Sequence, residues 1–158
     1  MHVSGSLSRA QIADFLTDDP IPIRLGCRTP AGELWMLSMW YRHRESDDTD
    51  DEWVLECATN ADAKVVTYLR ESPDVAFEVS TNRPPYRGVR GRGTATIDPD
   101  PDKTVLRALL ERYLGGTDSE LATNLLKEDR TEVTITISPS TVYGWNFADR
   151  MGDTGRSE

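Results

Sequence analysis

The chain has 158 residues and a mass of 17.7 kDa, enough for one domain whose core buries roughly 70% of the unfolded surface. Its 27 acidic and 18 basic residues leave a net charge of −9, a field that repels nucleic acid and anionic membrane surfaces. With 37% hydrophobic and 28% charged residues the composition is globular, and no apolar run reaches the roughly 18 residues of a membrane helix.

Met1 to Ala10 carries no basic region followed by an apolar stretch, so it does not read as a signal peptide and a cytoplasmic protein is expected. Ser8 followed by Gln11 is a capping-box signature, and Ile12, Phe15 and Leu16 give the helix behind it one apolar face, ending before Pro20. Ile21 to Thr29 reads as a strand, Pro30-Ala31-Gly32 as a turn, and Leu34 to His43 as the second strand of a hairpin. Both faces of that second strand are apolar: Trp35, Leu37, Met39 and Tyr41 on one, Leu34, Met36 and Trp40 on the other. One face fills a core. The other calls for a subunit or ligand, unless the chain itself covers both.

Glu45 to Glu52 is an acidic loop without the Gly and terminal Glu of a calcium-binding hand. Trp53 to Thr59 is the next strand, and Asn60 is placed to cap a helix running to about Glu71. Val75 to Thr81 and Tyr86 to Ile97 read as two further strands joined through Asn82-Arg83-Pro84-Pro85. The Asp-Pro run from Asp98 to Asp102 caps a helix from Lys103 to Leu114, and a second helix spans Ser119 to about Lys127. Thr131 to Ser138 and Thr141 to Phe147 close the chain as strands, followed by a loose polar tail from Ala148. The pattern is mainly β: a small antiparallel barrel with peripheral helices, forming a single domain over 1–158.

Cys27 and Cys57 lie in strands without a CxxC pattern, and His2 and His43 are too few and too far apart to hold a metal, so none is expected. Of the basic residues only Lys64, Lys103 and Lys127 are lysines. An Asp-rich, Lys-poor surface suits very high salt, and a halophilic source is expected; an ordinary acidic chain in which arginine displaces lysine is the alternative.

Two constellations could meet an anion. At the strand-to-helix junction, unpaired backbone N–H groups of a first helical turn are joined by Thr59, Asn60 and Lys64. The alternative is an ordinary cap beside a surface lysine. Farther on, Arg83, Arg87, Arg90 and Arg92 crowd into ten residues. Strand alternation puts Arg87 at the mouth of a core face made of Val89, Gly91, Gly93 and Ala95, whose small residues leave room near the backbone. No GxSxG, P-loop or Cys–His pairing occurs, so an enzyme here would rely on a cofactor.

Four segments carry a family resemblance: IPIRLGCRTPAGELWMLSMWY from Ile21, LECATNADAKVVTYLRESPDVAFEVS from Leu55, YRGVRGRGTATI from Tyr86 and TVYGWNF from Thr141. From about Ile12 to Phe147 the chain resembles the pyridoxamine 5′-phosphate oxidase-like, FMN-binding split-barrel proteins, especially the small branch that includes F420-dependent reductases. The resemblance implies a six-stranded antiparallel split barrel that forms a homodimer with flavin at the interface. It places the flavin ring along Met36, Leu37, Ser38, Met39 and Trp40. It places the phosphate at Ala58, Thr59, Asn60 and Lys64, and assigns further contacts to Arg87, Gly88 and Val89. The implied activity is hydride transfer between FMN and a small organic substrate. Coenzyme F420 is the alternative cofactor, its anionic tail running along Arg83, Arg87 and Arg90; a non-catalytic flavin- or tetrapyrrole-binding protein is the alternative role. Where the vitamin-B6 oxidases carry Ser-Arg-Lys this chain has Asp62-Ala63-Lys64, and it lacks their Arg-rich C-terminal segment, so the resemblance does not extend to that activity.

Overall fold

A computed structural model describes residues 1–46 and 52–151. In chain order the elements are β1 (His2–Gly5), α1 (Arg9–Asp18), β2 (Ile23–Arg28), β3 (Leu34–Met39), β4 (Arg42–Glu45), β5 (Trp53–Asn60) and α2 (Lys64–Glu71). Then follow β6 (Asp74–Ser80), β7 (Arg87–Pro99), α3 (Thr104–Leu114), α4 (Glu120–Leu125), β8 (Glu132–Asn146) and α5 (Ala148–Met151). The acidic loop falls mainly on residues 47–51 and the end of the tail on 152–158, both outside the described residues. Among the described residues no helix is long and apolar enough to cross a membrane.

The strands pair in the order β3-β2-β6-β7-β8-β5-β4. The two ends of this path, β3 and β4, are separated in the chain only by Trp40 and Tyr41, so the sheet must curl until its edges meet there. That closure makes a barrel, and the divergence of β3 from β5 beyond the crossing splits it. Ile23, Leu25, Leu55, Cys57, Phe77, Val79, Val89, Ile135 and Ile137 fill the interior. The fold is mainly antiparallel β with appended helices, as expected, but it has eight strands among the described residues rather than six.

Each difference in strand count has a local cause. The long second strand breaks in two because Tyr41 turns inward and is fully buried, its hydroxyl donating to Leu16 O at 2.9 Å. Expected strands over Thr131 to Ser138 and Thr141 to Phe147 instead run together as β8, bending where Pro139 and Gly93 face each other across a register shift in β7. Pro139 has no N–H for the ladder, and a bulge absorbs the mismatch. The N-terminal residues add β1, parallel to β8, with His2 opposite Thr141 and Gly5 opposite Gly144.

The helices start where backbone donors find oxygens. Ser8 and Gln11 form the expected capping box of α1. Asp100 accepts from the Thr104 and Val105 N–H groups at 2.9 and 3.0 Å, seating the start of α3. Asn60 does not cap α2. Its Oδ1 instead accepts from the Asp62 N–H at 2.8 Å, and the helix begins at Lys64 behind Ala63. The β5 ladder runs on through Asn60, opposite Glu132, and the Ala61 N–H still donates to Thr131 O, which delays the helix.

Candidate functional site

Where β3 parts from β5, a cleft of about 430 Å³ opens between Leu37, Ser38, Met39 and Trp40 on one wall and Ala58 and Thr59 on the other. Helices α3 and α4 roof it with Leu106, Leu109 and Leu125, and Arg130 and Glu132 close one side. Behind this roof lies a second small core in which Leu106, Leu110 and Ala122 pack with Trp40 and Ala58. The cleft is therefore the gap between the barrel and its helical cover, largely apolar and polar only at Ser38, Thr59, Arg130 and Glu132.

The β3–β4 crossing is pinned to the roof by aromatic and hydroxyl groups. The Trp40 ring stacks on Tyr113 at 5.2 Å between centroids and 7° between planes. Tyr113 Oη donates to Ile21 O at 3.0 Å and accepts from the Tyr41 N–H at 3.3 Å. Arg112 lies over both the Tyr41 and Tyr113 rings and donates to Leu16 O and Asp19 O. Burial raises the pKa of Tyr41 and Tyr113, keeping both hydroxyls protonated at neutral pH.

Glu132 is the most buried charged group on the cleft, with 3% of its surface exposed. Its Oε1 accepts from Arg130 Nε and lies 3.2 Å from Nη2. On β8, Glu132 alternates with the core residues Val133, Ile135 and Ile137, so its side chain leaves the barrel interior and meets the cleft instead. Sequence reasoning missed Arg130, Glu132 and Tyr113. The available signal for Glu132 was a carboxylate opening the strict alternation of Val133-Thr134-Ile135-Thr136-Ile137.

Six of the expected contacts, Leu37, Ser38, Met39, Trp40, Ala58 and Thr59, line this one cleft. The others lie elsewhere. Met36 points to the opposite side of β3 and is 65% exposed, lining grooves of about 530 and 460 Å³ on the outer face of the sheet. Asn60 ends β5, and Lys64 is exposed at the first position of α2. Arg87 is held by Asp19 at 2.9 Å and lies over the Phe15 ring, in a separate groove with Asp14 and Asp18. Gly88 is packed beneath Trp145 and Ser80, and Val89 is fully buried in the core. The room expected beside Gly91 and Gly93 is taken by the protein itself, with Phe77 against the first and Pro139 against the second.

A planar ring fits this cleft better than a compact polar ligand, because the two walls and the roof are mainly apolar, each wall carrying a single hydroxyl, while the charged groups stand at one side. Among the described residues, no cluster of His, Cys, Asp and Glu is placed to hold a metal ion.

No family model matches the chain, and no curated protein matches its sequence. Solved structures do match. A conserved hypothetical protein from Mycobacterium tuberculosis is 26% identical with a TM-score of 0.68, over 89% of this chain and 86% of that one. An F420 reductase is also 26% identical, with a TM-score of 0.64 over 82% of this chain and 94% of that one. A Listeria innocua protein described as a pyridoxamine 5′-phosphate oxidase shares the fold alone, at 15% identity and a TM-score of 0.58 over 84% and 94% of the two chains. The split barrel, its helical cover and these likenesses together give the chain the split-barrel fold of the pyridoxamine 5′-phosphate oxidase-like proteins, to which it is similar over most of its length.

Proposed function

We propose that the protein is an oxidoreductase that holds a flavin-type ring in the cleft between β3 and β5 and exchanges hydride with a small organic substrate. The observation that carries this reading is the convergence of Leu37, Met39, Trp40, Ala58 and Thr59 on one ring-sized, largely apolar cleft. When bound, the ring supplies the two-electron redox chemistry. The chain supplies the walls, which exclude water from the ring, and the polar rim, which orients it. FMN is the first reading. Coenzyme F420 is the second, favoured by the 26% likeness to an F420 reductase.

Lys64 supports an anion at the near end of such a cofactor. It is exposed at the start of α2, whose first turn receives no side-chain cap. A tetrapyrrole suits the site less well: His43 lies against the Trp53 ring at 5.0 Å with Nδ1 by Thr17, and it does not line the cleft.

We also propose that the working form is a homodimer. The face to be covered is the outer one, where Leu34, Met36 and Tyr143 are 79%, 65% and 42% exposed. It is not the Leu37, Met39 and Tyr41 face, which packs on the chain's own core.

Titrating FMN and F420 separately into the apoprotein, followed by visible absorbance and fluorescence, tests the reading. Saturable binding of one supports it, and binding of neither overturns it. Sedimentation at several salt concentrations tests the dimer. A monomer of about 18 kDa under every condition, the mass of one 158-residue chain, overturns it.

A further inference from the structure

We infer that Glu132 and Arg130 read the imide edge of the bound ring, which flavins and deazaflavins share. That edge presents one N–H donor between two carbonyl acceptors. The inference rests on the cofactor reading above and adds to it the residues that recognise the ring and its orientation.

The argument begins with a buried carboxylate that is only half used. Glu132 is 3% exposed, and both Arg130 contacts fall on Oε1. Its other oxygen, Oε2, has no hydrogen-bond partner among the described residues and is not one of the fully enclosed unpaired atoms, so it stays open to a donor beside the cleft that the residue lines. A carboxylate removed from water needs its lone pairs satisfied. Arg130 lines the same cleft with its side chain one-third exposed, so its guanidinium can serve Glu132 and still present a donor. An acceptor beside a donor is the complement of an N–H beside a carbonyl, and a charged pair makes both hydrogen bonds stronger than neutral ones.

The surroundings agree with this assignment. The rest of the cleft offers few competing polar groups, namely the Ser38 and Thr59 hydroxyls among apolar side chains. The Leu34 end of β3 faces α2, where Trp35 meets the Tyr68 ring edge-on at 6.1 Å. Arg130 and Glu132 line the cleft with the Ser38–Trp40 end of the strand instead.

The test compares FMN and F420 with the 3-methyl derivative of each ring, in which the imide N–H is blocked. The proteins are wild type, Glu132→Gln and, as a control, Glu128→Gln, a change at an exposed carboxylate outside the cleft. Wild type is expected to bind the unmodified ring about ten- to a hundredfold more tightly than its 3-methyl derivative, the effect of one charge-assisted hydrogen bond. Glu132→Gln keeps the shape and one acceptor for Arg130 but turns an amide N–H toward the ring. It should bind the unmodified ring at least tenfold more weakly and lose the discrimination, whereas Glu128→Gln should retain both. Thermal unfolding of each variant checks that the fold is kept; Glu132→Met, which removes the acceptor outright and is judged by the same loss of discrimination, replaces Glu132→Gln if that variant fails to fold. If wild type binds a ring and its 3-methyl derivative equally, the inference is overturned while the cofactor reading stands. If neither FMN nor F420 binds, both fall.

Discussion

Replacing Tyr113 by Phe removes one oxygen atom from the point where the barrel closes, and the structure sets the size of the effect. Oη accepts the Tyr41 N–H at 3.3 Å and donates to Ile21 O at 3.0 Å, with Tyr41 O also 3.3 Å away. The Tyr41 N–H lies at the crossing between β3 and β4, outside both strands, and Tyr41 is fully buried. Loss of the hydroxyl leaves one donor and one acceptor short of a partner. At about 1 kcal/mol for each group, Tyr113→Phe costs about 2 kcal/mol. The ring stack on Trp40 survives in Phe, so the stacking contribution does not enter. For a chain of this length that loss lowers Tm by about 4–8 °C. The assay is urea unfolding followed by tryptophan fluorescence, with an unchanged m-value required. Tyr86→Phe, at an exposed ring, serves as the control and should stay within about 0.5 kcal/mol. If Tyr113→Phe also stays within that range, the crossing is held by packing alone and the hydrogen-bond argument is wrong.

Lys64→Ala should weaken FMN or F420 binding about ten- to a hundredfold while Lys127→Ala leaves it unchanged, and equal affinities in the two variants would make Lys64 a bystander. Lys103 cannot serve as that control, because it is 7% exposed, left-handed at φ 55° and donates to Lys127 O. Gly91→Ala should lose about 1–3 kcal/mol in urea unfolding, because a Cβ there would lie 2.6 Å from Phe77 Cζ; Gly116→Ala, which meets nothing within 4 Å, should not. Burial holds the His43 pKa below 6.5, against the opposing pull of Glu45, so the unfolded state takes up this proton first as pH falls. Wild type should therefore lose stability relative to His43→Gln from pH 6.5 downward until the folded pKa is passed; urea curves at pH 7.5 and 5.5 that show the same gap would refute this.

Local signals were legible wherever one segment decides its own structure. The capping box at Ser8, the turn at Gly32 and the alternation of Val89, Gly91, Gly93 and Ala95 are all present where the residues place them. Reading failed where a distant residue decides. The break at Tyr41 depends on Leu16 and Tyr113, 25 and 72 residues away, and no periodicity within Leu34 to His43 carries that information. Asn60 looked like a helix cap because the sequence cannot show that β8 extends the β5 ladder past it. The site divides in the same way. Its β3 wall was legible as a doubly apolar strand, whereas Arg130 and Glu132 enter through the packing of α3 and α4 over β5 and β8. Arg87, which looked like a free anion partner, is engaged by Asp19, 68 residues away.

β3 joins the two proposals, a ligand in the cleft and a second subunit on the outer face. Among the described residues it is an edge strand that pairs only with β2, through Ile23 opposite Met39 to Arg28 opposite Leu34, so neither face gains cover from a second described neighbour in the sheet. Leu37 and Met39 turn toward the interior and the cleft, while Leu34 and Met36 stand on the outer face over Gly26, whose missing side chain leaves them without a flank. A ligand in the cleft would order the Leu37–Trp40 end of the strand, and a second subunit would order its Leu34–Met36 side. Both bind the same six-residue backbone, so each reduces the conformational freedom the other must remove. Binding to the folded strand stabilises it by mass action, and two partners that favour one arrangement favour each other's binding. The apolar character of both faces thus requires no choice between a ligand and a subunit: a short edge strand at the mouth of a split barrel has one side for each.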